Sequence, residues 1–210
     1  MSLYKTRQEI LLDYWFGRCS DDRLMDRNSV RIRRWFSDNP QTNRQIRENF
    51  EPDLLAAKAG HLADWQATAR GCLALIVLAD QFPRRLYREI PKVFEADEMA
   101  LSLCLRSLAE RLDEMLQLFE RLFFYMPLMH AESAEVQQKA LHYFRRLAED
   151  ARKKNSPNAD YFFDALDQAL KHYALIERFG RFPERNQILG RESTPEEREF
   201  LKTRETVHEF

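Results

Sequence analysis

A chain of 210 residues is long enough for one compact domain with a substantial core, and 1–210 reads as a single helical domain. Its 5 Gly and 8 Pro leave too few turn formers for a barrel or sandwich of many short strands. With 33 basic against 34 acidic side chains, no global field gathers a phosphate backbone or an anionic bilayer, which argues against nucleic acid and membrane as partners.

The residue balance points to helices. Leu and Ala number 27 and 20, against 7 Ile and 5 Val, and unbranched or small side chains lose less freedom in a helix than β-branched ones. The longest apolar run, Cys72 to Ala79, is eight residues, where a membrane span needs about 20. Cys19, Cys72 and Cys104 are an odd set without CxxC spacing, and no signal peptide precedes them. Neither a disulfide framework nor a zinc site is expected, and a reducing cytoplasm fits best.

Helical spacing of apolar residues recurs almost end to end, predicting about nine or ten helices. Thr6 with Glu9 forms a capping box ahead of Ile10, Leu11 and Tyr14, and Gly17 closes that helix. A short element follows over Val30 to Phe36. Thr42 with Gln45 opens the next segment, Pro52 is expected to start a fresh turn, and Gly60 ends the stretch. From Leu62 to Asp80 one long helix is predicted, with Trp65, Cys72 and Ile76 on its inner stripe. Leu101 to Leu108 form another stripe. Met115, Phe119, Leu122, Phe123 and Met126 form a third, which Pro127 is expected to stop. Val136 to Leu147 mark a helix running into the polar loop Lys153 to Pro157. Phe162 to Ile176 mark the next, ending at Gly180, and Thr194, Pro195, Glu196 and Glu197 start a last one. Trp15, Trp35 and Trp65 read as core wedges. Tyr87, Phe94 and Phe200 are either surface aromatics at a contact or residues packed under loops.

One correspondence appears when the chain is slid by 100 positions. Ala74-Leu75-Ile76 followed by Phe82-Pro83 and Arg85 matches Ala174-Leu175-Ile176 followed by Phe182-Pro183 and Arg185. It is either a duplication or a shared device in which a helix ends, Phe tucks inward and Arg is projected at the rim.

Asp80 shares a face with Ile76 and Val77 at the carbonyl end of its helix, an unfavourable place for a carboxylate. A cation must offset it, and Arg84, Arg85, Arg178, Arg181 and Arg185 are the candidates. The pairing is either a clamp between helix ends or one wall of a site. His130 and Glu132 follow Pro127, where imidazole and carboxylate suit acid and base roles. Residues two apart share no helical face, so the pair is not a metal motif. His172 lies on an apolar stripe and reads more readily as a hydrogen-bonded core residue than as a ligand. The arginines around Gly180 and Pro183, with Arg191 and Asn186, either neutralise a helix end or hold a carboxylate or phosphate. No phosphate loop, nucleophile elbow or metal motif is present, so no metal and no cofactor are expected.

Four strings in order carry a family resemblance: Tyr14-Trp15-Phe16-Gly17, then Asp80-Gln81-Phe82-Pro83-Arg84. Glu120-Arg121 through Tyr125-Met126-Pro127-Leu128 to His130 and Glu132 follow, then Arg178-Phe179-Gly180-Arg181-Phe182-Pro183 through Arg185-Asn186 to Leu189-Gly190-Arg191. From about Tyr14 to Leu201 the chain resembles the bacterial domain-of-unknown-function family 924. The resemblance implies a soluble cytoplasmic helical protein similar to tetratricopeptide superhelices, and it implies no activity. The chain departs from the family pattern at Ala79, Arg85, Ala131 and Glu184.

The expected fold is all-α, with antiparallel helix pairs in a tetratricopeptide-like right-handed superhelical array. The expected site gathers Asp80, Gln81, Arg84, His130, Glu132, His172, Arg181, Arg185 and Asn186 around a small anionic or polar ligand. The alternative is a peptide-binding interaction module without catalytic activity.

Overall fold

The computed structural model describes residues 5–17 and 23–204. Cys19 lies outside the described residues. Among those described there is no strand, and ten α-helices follow one another: α1 Arg7–Phe16, α2 Val30–Phe36, α3 Pro40–Lys58, α4 Ala69–Ile76, α5 Phe82–Leu86, α6 Asp97–Ala109, α7 Leu118–His130, α8 Ala134–Lys153, α9 Ala159–Phe179 and α10 Pro195–Arg204. No described helix is long and apolar enough to cross a membrane.

Local chemistry sets most boundaries. The Thr6–Glu9 capping box opens α1, with both reciprocal bonds made, and Gly17 closes it at positive φ. Asn39, not Thr42, caps α3, because its side chain accepts from the backbone N–H groups of Gln41 and Thr42 while Pro40 takes the first position. Pro52 does not start a new turn. It sits inside a continuous α3, whose Ile46, Phe50 and Leu54 are buried on either side of it, so packing carries the helix through one missing donor.

The predicted helix from Leu62 to Asp80 is three pieces. A 3₁₀ turn covers Ala63–Ala67, Thr68 then caps α4 by accepting from the Gly71 N–H, and a π turn spans Val77–Gln81 before α5 begins. In that π turn the Phe82 N–H reaches back five residues to the Val77 carbonyl. A Cβ on Gly71 would stand 1.9 Å from the Trp65 carbonyl oxygen, so the bend into α4 needs a glycine there.

Pro127 likewise fails to end α7, which runs on to His130. Every residue from Leu118 to Met129 is buried, and that packing outweighs one lost hydrogen bond. Met115 falls outside the core stripe. It lies in the 3₁₀ turn Leu112–Met115 and is 76% exposed.

The three tryptophans are core wedges, each at most 5% exposed. Trp15 packs edge-on against Phe82 and Phe123, and Trp35 against Phe123 at 4.8 Å between ring centroids, with the Trp35 indole N–H donating to the Trp15 carbonyl. This aromatic knot fastens α1 and α2 onto α5 and α7. Tyr87 is buried and donates to Glu51, so it is no surface aromatic. Phe94 is partly buried beneath Arg185, and Phe200 faces Phe179.

Candidate functional site

The residues that matter chemically sit where α4 gives way to α5, where α7 meets α8, and in the segment after α9. Asp80 lies in the π turn and is fully buried. An ordinary helical turn spaces residues evenly; the wider π turn sets Asp80 among Ala79, Gln81 and Phe82, all buried as well. His130 is the last residue of α7, and its Nδ1 lies 2.7 Å from Asp80 Oδ1. Gln137 of α8 holds that corner still. Its amide donates to the carbonyls of Met129 at 2.6 Å and Ala131 at 2.8 Å, satisfying the end of α7.

Arg84, one turn after Asp80, donates to the Asp80 carbonyl at 2.6 Å and lies 3.5 Å from its carboxylate. Its other function is a two-pronged bond to Asp97 at 2.8 and 2.9 Å. Gln81 donates to Asp80 Oδ2 at 2.5 Å and faces the Met126 sulfur. Burial alone would raise the Asp80 carboxyl, but the Arg84 charge and the donors from His130 and Gln81 hold it down at about 2. The carboxylate is therefore ionised and can only accept. His130 is pushed below its ordinary value, first by burial and then by Arg84, against the pull of Asp80. Near neutral pH the ring is uncharged, with its proton on Nδ1 facing Asp80. Nε2 is left as the nitrogen able to take a ligand or a proton.

Arg185 arrives from the far end of the chain, in the 3₁₀ turn Pro183–Arg185. Its guanidinium donates to the His130 carbonyl at 2.9 Å and lies between the rings of Phe94 and Phe182, 4.8 and 4.5 Å from their centroids. Its side chain is 17% exposed, and the Asp97 carboxylate stands 3.9 Å away. Burial and the neighbouring Arg84 lower its ordinarily very high value to about 10.

Segment 181–197 is fastened by two carboxylates. Glu132 accepts the Phe182 N–H at 2.8 Å and a bidentate pair from Arg191 at 2.6 and 2.9 Å, while Arg191 also donates to Asn186 Oδ1. Glu197, almost wholly buried, accepts two bonds from Arg181, one from Asn186 and the Thr194 N–H. Arg181 holds Glu197 down at about 2.

The three predicted stretches therefore converge. Asp80, Gln81, Arg84, His130 and Arg185 form one connected cluster, and Glu132 and Asn186 fasten the segment that carries Arg185. Arg181 is turned to Glu197, and exposed Arg178 to Glu196. His172 caps back on the Gln168 carbonyl at 2.8 Å and meets Phe182 edge-on at 5.3 Å, bordering the cluster through that ring. Arg85 stands apart, donating to the carbonyls of Ser37 and Trp35. Sequence reasoning missed Asp97, Gln137 and the π turn, and it gave Arg191 no partner. Two surface grooves of about 480 and 410 Å³, one beside Leu105 and Tyr143 and one beside Leu12 and Arg70, contain none of these residues. No described group of three or more His, Cys, Asp and Glu is placed to hold a metal ion.

Residues 11–205 match the family described as "Bacterial protein of unknown function (DUF924)". A solved structure from Agrobacterium tumefaciens, the protein of unknown function ATU0120, is 32% identical and superposes with a TM-score of 0.70 over 80% of this chain and 88% of that one. No curated protein is similar to the chain.

Proposed function

The chain belongs to the bacterial DUF924 family, and for this member we propose that the cluster around Asp80, His130 and Arg185 binds a small anionic or polar ligand. The observation that carries the reading is Arg185. A guanidinium that is mostly buried, flanked by two aromatic rings and 3.9 Å from its nearest carboxylate is held in no close bidentate pair, which suits its charge-assisted donors to an oxyanion. Arg84 is committed to Asp97 and orients Asp80. Asp80 and Gln81 fix the His130 ring, so that Nε2 accepts from the ligand or takes its proton. Glu132, Asn186 and Arg181 hold the segment in place, and His172 borders it through Phe182.

A second reading, the tetratricopeptide-like right-handed array with a groove for a peptide, draws support from the successive packing of α7 on α8 and α8 on α9. In that case Arg185 would meet the acidic end of the peptide. Free, buried Cys72 and Cys104 suit a reducing compartment, which supports a cytoplasmic location.

Thermal-shift measurements with phosphorylated and carboxylated metabolites and with acidic C-terminal peptides, on wild type and Arg185→Met, separate these readings. A ligand at about a hundred times its Kd stabilises by about 2.7 kcal/mol. The proposal expects small anions to stabilise the wild type and not the variant. Stabilisation by peptides alone favours the second reading, and equal stabilisation of both proteins contradicts the first.

A further inference from the structure

We infer that this site takes its anion together with one proton, His130 becoming charged as an oxyanion settles against Arg185. The inference rests on the ligand-binding reading and adds the ligand's class and the control of its affinity.

The argument begins from charge placement. Asp80 and Arg84 from the π turn and α5 and Asp97 from the start of α6 act on the His130 ring, while Arg185 from the segment after α9 holds the carbonyl of the same residue. Two carboxylates face two guanidinium groups, and Glu132, which also acts on Arg185, is matched by Arg191, so with neutral imidazole the cluster carries no net charge. An added anion would leave one uncompensated negative charge in a poorly solvated place, which is costly. The group able to answer it is His130. Asp80 already accepts from Nδ1 at 2.7 Å, so a second proton goes to Nε2. The ring then donates from both nitrogens, one toward Asp80 and one toward the ligand. A ligand bridging that donor and the Arg185 fork needs two acceptor oxygens, which selects carboxylates and phosphate- or sulfate-like oxyanions. Burial and Arg84 keep the empty site's imidazole neutral, leaving room for the proton to arrive with the anion.

Linkage gives the consequence. Between the free and bound titration points of His130, affinity falls about tenfold for each unit rise in pH. Sulfate and formate are suitable probes because neither titrates between about pH 5 and 8. Calorimetry at about pH 6 in two buffers of different ionisation enthalpy reads the protons taken up per anion bound. Uptake of about one proton, a matching pH slope in affinity, and loss of both in His130→Gln support the inference. The wild-type proton count stands even if that variant fails to fold. Binding without proton uptake overturns the inference and leaves the ligand reading intact, as does uptake that persists in His130→Gln. No binding of either probe at any pH overturns both.

Discussion

Glu132 and Arg191, 59 positions apart, meet in a bidentate ion pair that ties the segment after α9 to the corner between α7 and α8. The same carboxylate accepts the Phe182 N–H. Three residues further along, Arg185 reaches the His130 carbonyl. The placement of a cation beside the Asp80–His130 pair is thus set by polar fastenings together with the buried Phe182 ring, on which Arg185 lies.

Removing Arg191 should loosen that segment first. Both partners are about a quarter exposed, so the expected cost of Arg191→Ala is on the order of 2 kcal/mol, below the 3 to 5 of a fully buried pair. Urea denaturation reads the loss. Faster amide exchange confined to 182–191 would identify its location, and unchanged exchange there would contradict it.

Gly71→Ala places a methyl group 1.9 Å from the Trp65 carbonyl oxygen and 2.9 Å from Thr68 Oγ1. Backbone cannot yield as a side chain does, so destabilisation of about 2 kcal/mol or more is expected despite the better helix former. A variant as stable as wild type would show that the bend into α4 is slack.

Pro52→Ala should stabilise. An interior proline costs a helix about 3 kcal/mol, offset by up to about 1 from its restriction of the unfolded chain. Since Pro52 is exposed, the replacement fills no occupied space, and a gain of about 2 kcal/mol in urea denaturation is expected. No gain would mean that the proline's bend is needed by the packing of Phe50 and Leu54.

Acid should unfold the protein in two stages. His130 is depressed below its ordinary 6.5, so the unfolded chain takes that proton first and stability declines as pH falls below about 6.5. Asp80 and Glu197 titrate at about 2 in the folded protein, against 3.8 and 4.5 ordinarily. Their contribution is present above about pH 4.5 and is lost as pH falls toward 2. Denaturation across this range should show the upper decline in wild type and not in His130→Gln, with the lower decline in both. Constant wild-type stability from about pH 7 to about pH 5 would contradict the neutral imidazole.

The helical class was legible because it follows from the Leu and Ala surplus, and the Thr6–Glu9 box because capping is local chemistry. Asp80 was legible as a carboxylate on an apolar face, with Arg84 among its named partners. Its π turn was not, since one residue of widening is decided by what packs around the backbone and leaves no trace in composition. Asp97 looks like any acid in the first turn of a helix. Only the tertiary path of 181–191 makes Arg191 the partner of Glu132. Pro52 and Pro127 misled because tertiary packing carries a helix past one missing donor: α3 packs one face around Phe50 and Leu54, and α7 is buried from Leu118 to Met129. The correspondence over 100 positions is half kept. Phe82 and Phe182 are both buried, yet Ile76 leads into a π turn, whereas Ile176 precedes a glycine cap at Gly180.

Side-chain ¹⁵N spectra during a sulfate titration near neutral pH test the ligand site most directly. Saturable shifts of the His130 Nε2 and Arg185 Nε resonances are predicted, with Arg181, locked on Glu197, unmoved as an internal reference. Stationary His130 and Arg185 signals, or movement at Arg181 alone, would contradict the assignment.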